Sequence, residues 1–255
     1  MSPAPAKPSA TIVLLRERSG GPEVLLVKRR AGDAFGDNYA FPGGVVDADE
    51  SASHEYSQGK TADEANTELS VAEGGLDYYS AAIRELFEET GILLARDASG
   101  DWSQGGPDIS TLRKEVDQGT RKWSNFLRDQ GLRMASDALH YFAHWETPLS
   151  LPKRWSTRFF LAELPPGQDA THDGSELTDC RWLIAADALS LARGGGMKLP
   201  IPTFSTLEYL VDFDSVGDVL GWAKDSRAQG IEKILPGEQI SGGKTKYIYP
   251  RKSAD

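Results

Sequence analysis

The run Arg84-Glu85-Leu86-Phe87-Glu88-Glu89-Thr90-Gly91-Ile92 carries three carboxylates at spacings of three and one. On a helix turning roughly 100° per residue, Glu85, Glu88 and Glu89 fall within about 100° of arc. Ala82, Ile83, Leu86 and Phe87 fill the opposite side and can face a core. Three like charges on one face repel unless something positive sits among them. Arg84 lies four residues before Glu88 and can orient one of the acids. The rest of the compensation calls for a hard cation, and oxygen-only ligands suit Mg²⁺ or Mn²⁺. A solvated acidic face is the alternative for such a cluster in isolation. What weighs against it is an upstream stretch, Phe41 to Glu50 (FPGGVVDADE), in which a Gly-Gly pair precedes its own group of acids. Between Glu50 and Arg84 stand 33 residues.

Several elements must position these groups. Thr11 to Arg16 reads as a strand, Gly20 to Pro22 as a hairpin turn, and Glu23 to Arg29 as the returning strand. Asp77 to Thr90 reads as a helix with Asp77 as N-cap and Gly91 in the left-handed position after its end. Ser51 to Gly75 is polar with little apolar periodicity and reads as a loop or lid. Ile92 to Ala95 is strand-like. Pro107 to Asp137 has helical spacing, with Leu112 and Val116 four apart and Trp123, Phe126 and Leu127 following, and predicts two helices broken near Gly119. Strands follow over Leu139 to Trp145, Thr157 to Leu164 and Asp179 to Ile184. Helices are expected over Asp187 to Arg193, Thr203 to Asp212 (Thr203 capping) and Val216 to Gln229, with a last edge strand at Lys246 to Tyr249. The fold class is α+β. Residues 1–9 read as a disordered lead and 10–250 as one domain. Within it, 51–76 is an insert, 107–138 a helical insertion and 200–235 the C-terminal helices.

Composition narrows the partners. The chain has 255 residues, ample for a buried core, and a formal net charge of −10 from 38 acids against 28 bases. A duplex nucleic-acid binder would need a basic face. A nucleotide substrate is compatible, because a bound metal offsets local negative charge. Cys180 is the single cysteine, so no intramolecular disulfide forms and a reducing compartment fits. The Pro/Ala-rich start has no apolar core of a signal peptide, and no apolar run reaches the ~18 residues of a membrane span. A soluble cytoplasmic protein is expected, with no nucleic-acid or membrane partner.

The two stretches together resemble the signature of the Nudix hydrolase superfamily. Gly44, five residues and Glu50 match its first part, and Arg84 to Ile92 matches its second part at every fixed position. The departure is the spacer, 33 residues where the family has seven. A box split here resembles the subgroup of peroxisomal coenzyme A diphosphatases and their bacterial relatives. The looser similarity covers the preceding strands, HYFAHWETP, TRFFLAELPPG and DGSELTDCRWL.

The resemblance implies an α/β/α sandwich with a mixed central sheet. It implies one to three Mg²⁺ or Mn²⁺ ions on Glu85, Glu88 and Glu89, with a backbone carbonyl at Gly43 or Gly44. Arg84 then fixes a helix glutamate, and Glu50 supports the site. The general base is left open between a helix glutamate and an acid on a distal loop; Glu176 is the distal candidate, as base or metal ligand, with a polar turn residue as its alternative, and Glu146 and Glu163 are weaker candidates. Arg29, Arg30 and Arg158 are candidate phosphate contacts, each weighed against an ordinary structural role. Trp145, Trp155 and Tyr141 are candidates to stack a base, though strand aromatics are more often core. The implied reaction is hydrolysis of a nucleoside diphosphate linked to another group. Coenzyme A or acyl-CoA, cleaved to 3′,5′-ADP and 4′-phosphopantetheine, leads. ADP-ribose, a dinucleotide or an isoprenoid diphosphate is the alternative, and a non-catalytic ligand sensor the alternative of another class. The upstream LLTxRS start of the strict coenzyme A motif is replaced by LLVKRR. A homodimer is implied only because dimers are common in the family. The insert stands open as a lid, a substrate-selecting loop or a dimer contact.

Overall fold

A computed structural model describes residues 3–30, 36–104, 109–171, 177–241 and 244–249. In chain order the strands are β1 (Lys7–Arg16), β2 (Glu23–Arg29), β3 (Tyr39–Ala40), β4 (Gly43–Val45), β5 (Ser57–Gln58), β6 (Ala95–Arg96), β7 (Arg133–Ala135), β8 (His140–Glu146), β9 (Trp155–Glu163), β10 (Leu177–Ile184), β11 (Lys233–Ile234), β12 (Gly237–Ser241) and β13 (Lys244–Ile248). The α-helices are α1 (Ala62–Leu69), α2 (Gly75–Thr90), α3 (Ile109–Asp117), α4 (Trp123–Gln130), α5 (Ala185–Arg193), α6 (Ile201–Leu210) and α7 (Val216–Gln229). The central sheet runs β10-β2-β1-β9-β8-β11, with β3 paired to β2 and β4 to β1. It is mixed: β1 runs parallel to β9 and β11 to β8, while the other pairs are antiparallel.

Both faces of the sheet are covered, which is why β1 and β2 read as continuous apolar runs. Side chains alternate between the faces. Ile12, Leu14 and Leu25 pack under α2 with Tyr79, Ile83 and Phe87, and with Phe126 of α4. Val13, Leu15, Val24 and Leu26 pack on the other face with Leu189, Leu207 and Val219 of α5, α6 and α7. The α/β/α sandwich with a mixed sheet and a helical insertion is the observed architecture. Phe126 stacks on Phe87 at 4.9 Å and on Trp123 at 5.2 Å, so the insertion helices are clamped to the back of α2. Among the described residues no helix is long and apolar enough to cross a membrane.

Several local expectations are corrected. β1 starts at Lys7, inside the segment read as a disordered lead: Lys7 N–H donates to the Arg154 carbonyl at 2.9 Å and the strand pairs with β9 from Lys7 onward. Pairing with a neighbouring strand overrides the Pro/Ala-rich composition. The 51–76 insert is ordered rather than a loop. It holds a 3₁₀ stretch (Glu50–Tyr56) and α1, which starts in a capping box between Thr61 and Glu64. Ala65 and Leu69, one turn apart, are both buried in the core. With only two core positions, α1 shows almost no periodicity in sequence. Asp77 does not cap α2; Gly74 stands at that position, and Asp77 Oδ1 instead lies 2.7 Å from His54 Nε2 of the insert. The apolar Ile92–Leu94 is buried without strand pairing, and only Ala95–Arg96 joins a small separate sheet. Helix α6 begins at Ile201 behind Pro200, so Thr203 lies within its first turn. The expected last edge strand is one arm of the β12–β13 hairpin, apart from the central sheet.

Candidate active site

The helix carrying the acids stops where Gly91 adopts φ 76°, a conformation that suits glycine. Its inner face packs on the sheet, which leaves the acids aimed at the β4 segment. Two glycines let β4 come close. A Cβ on Gly43 (φ 154°) would sit 2.3 Å from the Ala10 carbonyl oxygen and 2.7 Å from Thr11 Cα, so only glycine permits the pairing of β4 with β1 there. A Cβ on Gly44 would sit 2.3 to 2.4 Å from the Glu85 carboxylate atoms. The Gly-Gly pair is a cradle in which the glutamate head group occupies the space a side chain would fill.

Arg84 organises the acids. Its Nε donates to Glu50 Oε1 at 2.8 Å and its Nη1 to Glu88 Oε2 at 2.8 Å. Nη1 also lies 3.0 Å from Glu85 Oε1, and Nη2 donates to the Val45 carbonyl at 3.0 Å. Thus Glu50, 34 positions upstream, is returned to the side of the helix. Ser80, one turn before Arg84, donates to the second Glu50 oxygen and also hydrogen-bonds Ser53 at 2.7 Å. Glu89 is held separately. Arg29 Nη2 donates to Glu89 Oε1 at 2.8 Å and to the Gly43 carbonyl at 2.6 Å, and Gly43 N–H donates to Glu89 Oε2 at 3.0 Å. Arg113 of α3 donates to the Glu88 carbonyl at 2.9 Å, fixing the helix's last turn from behind.

One guanidinium cannot neutralise three carboxylates. Burial pushes the Glu88 carboxyl up to about 8 against the pull of Arg84, and the charges of Glu85 and Asp117 push the same way. Burial also raises Glu50 and Glu85, each opposed by Arg84. Among the described residues, no cluster of three or more His, Cys, Asp or Glu is preassembled as a metal cage. Yet the donors fit a hard divalent ion. They are oxygens only, and Glu85 and Glu88 share the single Arg84 Nη1 between them. The pH dependence follows in sign. An acid whose folded pKa is raised contributes stability below its unfolded value, near 4.5, which is lost as pH rises through the folded value, near 8 for Glu88. Metal-free protein should therefore melt at falling temperature from pH 6 to 9, and Mg²⁺ should raise the melting temperature most at the alkaline end. A Mg²⁺ effect independent of pH would contradict this.

A cavity of about 620 Å³ opens beside the cradle. Arg29, Gly43 and Gly44 lie at its wall together with Trp145, Trp155 and the Pro200–Thr203 turn. Other candidates lie elsewhere. Arg158 points to the opposite sheet face from its cavity-lining neighbours Thr157 and Phe159, because strand side chains alternate. It is buried over the Tyr78 ring at 5.3 Å, donates to the Leu69 carbonyl at 3.3 Å and to His144, and is not a wall residue. Burial and the Arg158 charge hold His144 down to about 4. Tyr141 is likewise buried on the α2 face. Arg30 is exposed just past β2 and does not line the cavity. Glu176 lies outside the described residues. Glu146 is tied to Arg154 at 2.5 Å and Lys233 at 2.8 Å, and Glu163 is exposed at a strand end. No residue of the 51–76 insert lines the cavity.

Sequence reasoning missed Ser80, Ser53 and Arg113. Ser80 carried one faint signal, its position four residues before Arg84. Arg113 carried none, since its partner is a backbone carbonyl 25 residues away.

The family model for the NUDT19 Nudix domain matches residues 55–210. The chain belongs to the Nudix hydrolase family. This Nudix chain is 28% identical over 169 residues to the human acyl-coenzyme A diphosphatase NUDT19, covering 61% of this chain and 44% of that protein. To the Xenopus laevis acyl-coenzyme A diphosphatase NUDT19 it is 24% identical over 252 residues, covering 84% and 66%. The chain spans about half the length of several curated relatives it matches. A Nudix hydrolase from Alicyclobacillus acidocaldarius shares the fold, with a TM-score of 0.73 at 24% identity over 86% of this chain and 96% of that one. The family match begins after Glu50, so the joining of Gly44 and Glu50 to the Nudix helix rests on the contacts above.

Proposed function

We propose that this chain hydrolyses the pyrophosphate bond of coenzyme A or acyl-CoA, giving 3′,5′-ADP and (acyl-)4′-phosphopantetheine. The observation that carries the hydrolytic reading is the meeting of Glu85 and Glu89 with the Gly43–Gly44 cradle, whose glycines line the cavity, with Glu88 tied to Glu85 through Arg84. The names of the relatives supply the coenzyme A moiety. Glu85, Glu88 and Glu89 would hold the divalent ion through oxygen donors. That ion supplies charge neutralisation at the pyrophosphate oxygens and a lowered water pKa. Water attacks one phosphorus, the P–O–P bridge breaks, and the bridging oxygen leaves with the other phosphate. Arg84 keeps Glu50 and Glu88 oriented, and Arg29 keeps Glu89 against Gly43. Glu176 stays the proposed distal base. The same reading carries Mg²⁺ or Mn²⁺ as the ion, a cytoplasmic setting from composition, and a homodimer from the resemblance.

A panel of coenzyme A, acetyl-CoA, ADP-ribose and dinucleotides, incubated with Mg²⁺ or Mn²⁺ and resolved by product mass, tests the proposal. Coenzyme A or its thioester should be cleaved at least tenfold more efficiently than ADP-ribose. Cleavage of ADP-ribose with coenzyme A left intact would overturn the substrate assignment.

A further inference from the structure

The cavity beside the acids is apolar beyond what a nucleotide needs. Among the described residues lining it, Arg29 and Glu146 are the only charged ones. Arg29 is engaged with Glu89, and both Glu146 oxygens are taken by Arg154 and Lys233. Among the described lining residues, a terminal phosphate enclosed there would meet only a cation already committed to Glu89, whereas phosphate recognition relies on charge-assisted bonds. The wall is instead built from Phe41, Trp145, Leu151, Trp155, Phe159 and Ile201. The Ser9 and Thr157 hydroxyls, 2.6 Å apart, give it an uncharged polar spot.

Resting on the proposed function, we infer that the cavity takes the acyl-pantetheine arm of the substrate and leaves the 3′-phosphoadenosine outside. The pyrophosphate sits at the Gly43–Gly44 mouth, the amides of the arm meet the hydroxyls, and the acyl chain lies against the aromatic and aliphatic wall. The cavity thereby favours acylated over free coenzyme A, because each buried methylene is worth roughly three- to fourfold in affinity.

Calorimetry on the full chain with Mg²⁺ tests this with the two product halves. S-octanoyl-4′-phosphopantetheine should bind at least tenfold tighter than 4′-phosphopantetheine. Ile201→Glu, at the start of α6, should abolish that advantage and leave the Kd of 3′,5′-ADP within about twofold. Leu151→Glu, on the loop between β8 and β9, should do the same, and a thermal melt of each variant guards against misfolding. An octanoyl advantage below twofold overturns the inference. So does a tenfold loss of 3′,5′-ADP binding in both variants, which would put the nucleotide in the cavity. These probes need no turnover. A chain that cleaved ADP-ribose alone would sink the proposed function, while the calorimetry would still decide what the cavity holds.

Discussion

Glu88→Gln and Glu89→Gln should each lower kcat by roughly 10²–10⁴-fold, the range typical of losing an essential ionisable group. Gln keeps the size of the side chain and removes its charge, so the donor set for a divalent ion is weakened without opening a void. The variants should differ in stability. Ionised Glu88 is unfavourable in the metal-free fold, because burial and its acidic neighbours raise its carboxyl to about 8. Glu88→Gln should therefore leave the metal-free melting temperature unchanged or raise it at pH 9. Glu89 accepts from Arg29 and from Gly43 N–H, so an amide there turns a donor toward one of them and should lower it. Rates within threefold of wild type for both variants would remove the acids from the chemistry.

Gly44→Ala should lower kcat by about 10²-fold with little change in melting temperature. The three atoms nearest the new methyl all belong to the Glu85 carboxylate, at 2.3 to 2.4 Å, and that head group can swing aside at low cost to the fold. It cannot do so and remain in place, and a displacement near 1 Å costs about 10²-fold in a positioned site. Gly43→Ala is the contrast. Its methyl meets the Ala10 carbonyl oxygen at 2.3 Å and Thr11 Cα at 2.7 Å, both backbone, so the strand pairing itself must give. That variant should lose stability as well as activity. Equal loss of melting temperature in both would refute the separation of roles between the two glycines.

Much of the site is legible in the chain because it depends on short-range geometry. The three-carboxylate arc, the apolar back of α2 and the glycine stop at Gly91 are consequences of helical periodicity and glycine's access to positive φ. The bounds of β2 and α7 agree with the sequence reading for the same reason. The pairing of FPGG with the helix was visible only through the Nudix resemblance, since nothing local links Gly44 to Glu85.

Tertiary structure decided the rest. It turned the polar insert into a 3₁₀ stretch and a capped helix packed into the core, away from the cavity wall, which two core contacts cannot announce in sequence. Arg29 it placed on Glu89 and a backbone carbonyl, where sequence offered only a cation near phosphates. It sent Arg158 beneath α2, because a strand's facing is settled by what packs on each side of the sheet and not by the residue's charge. The sequence by itself offered the groups that would hold a cation, and its Nudix resemblance the bond they would cut. Only the folded chain, bringing together residues 34 and more positions apart, decided which of them meet and what kind of wall stands beside them.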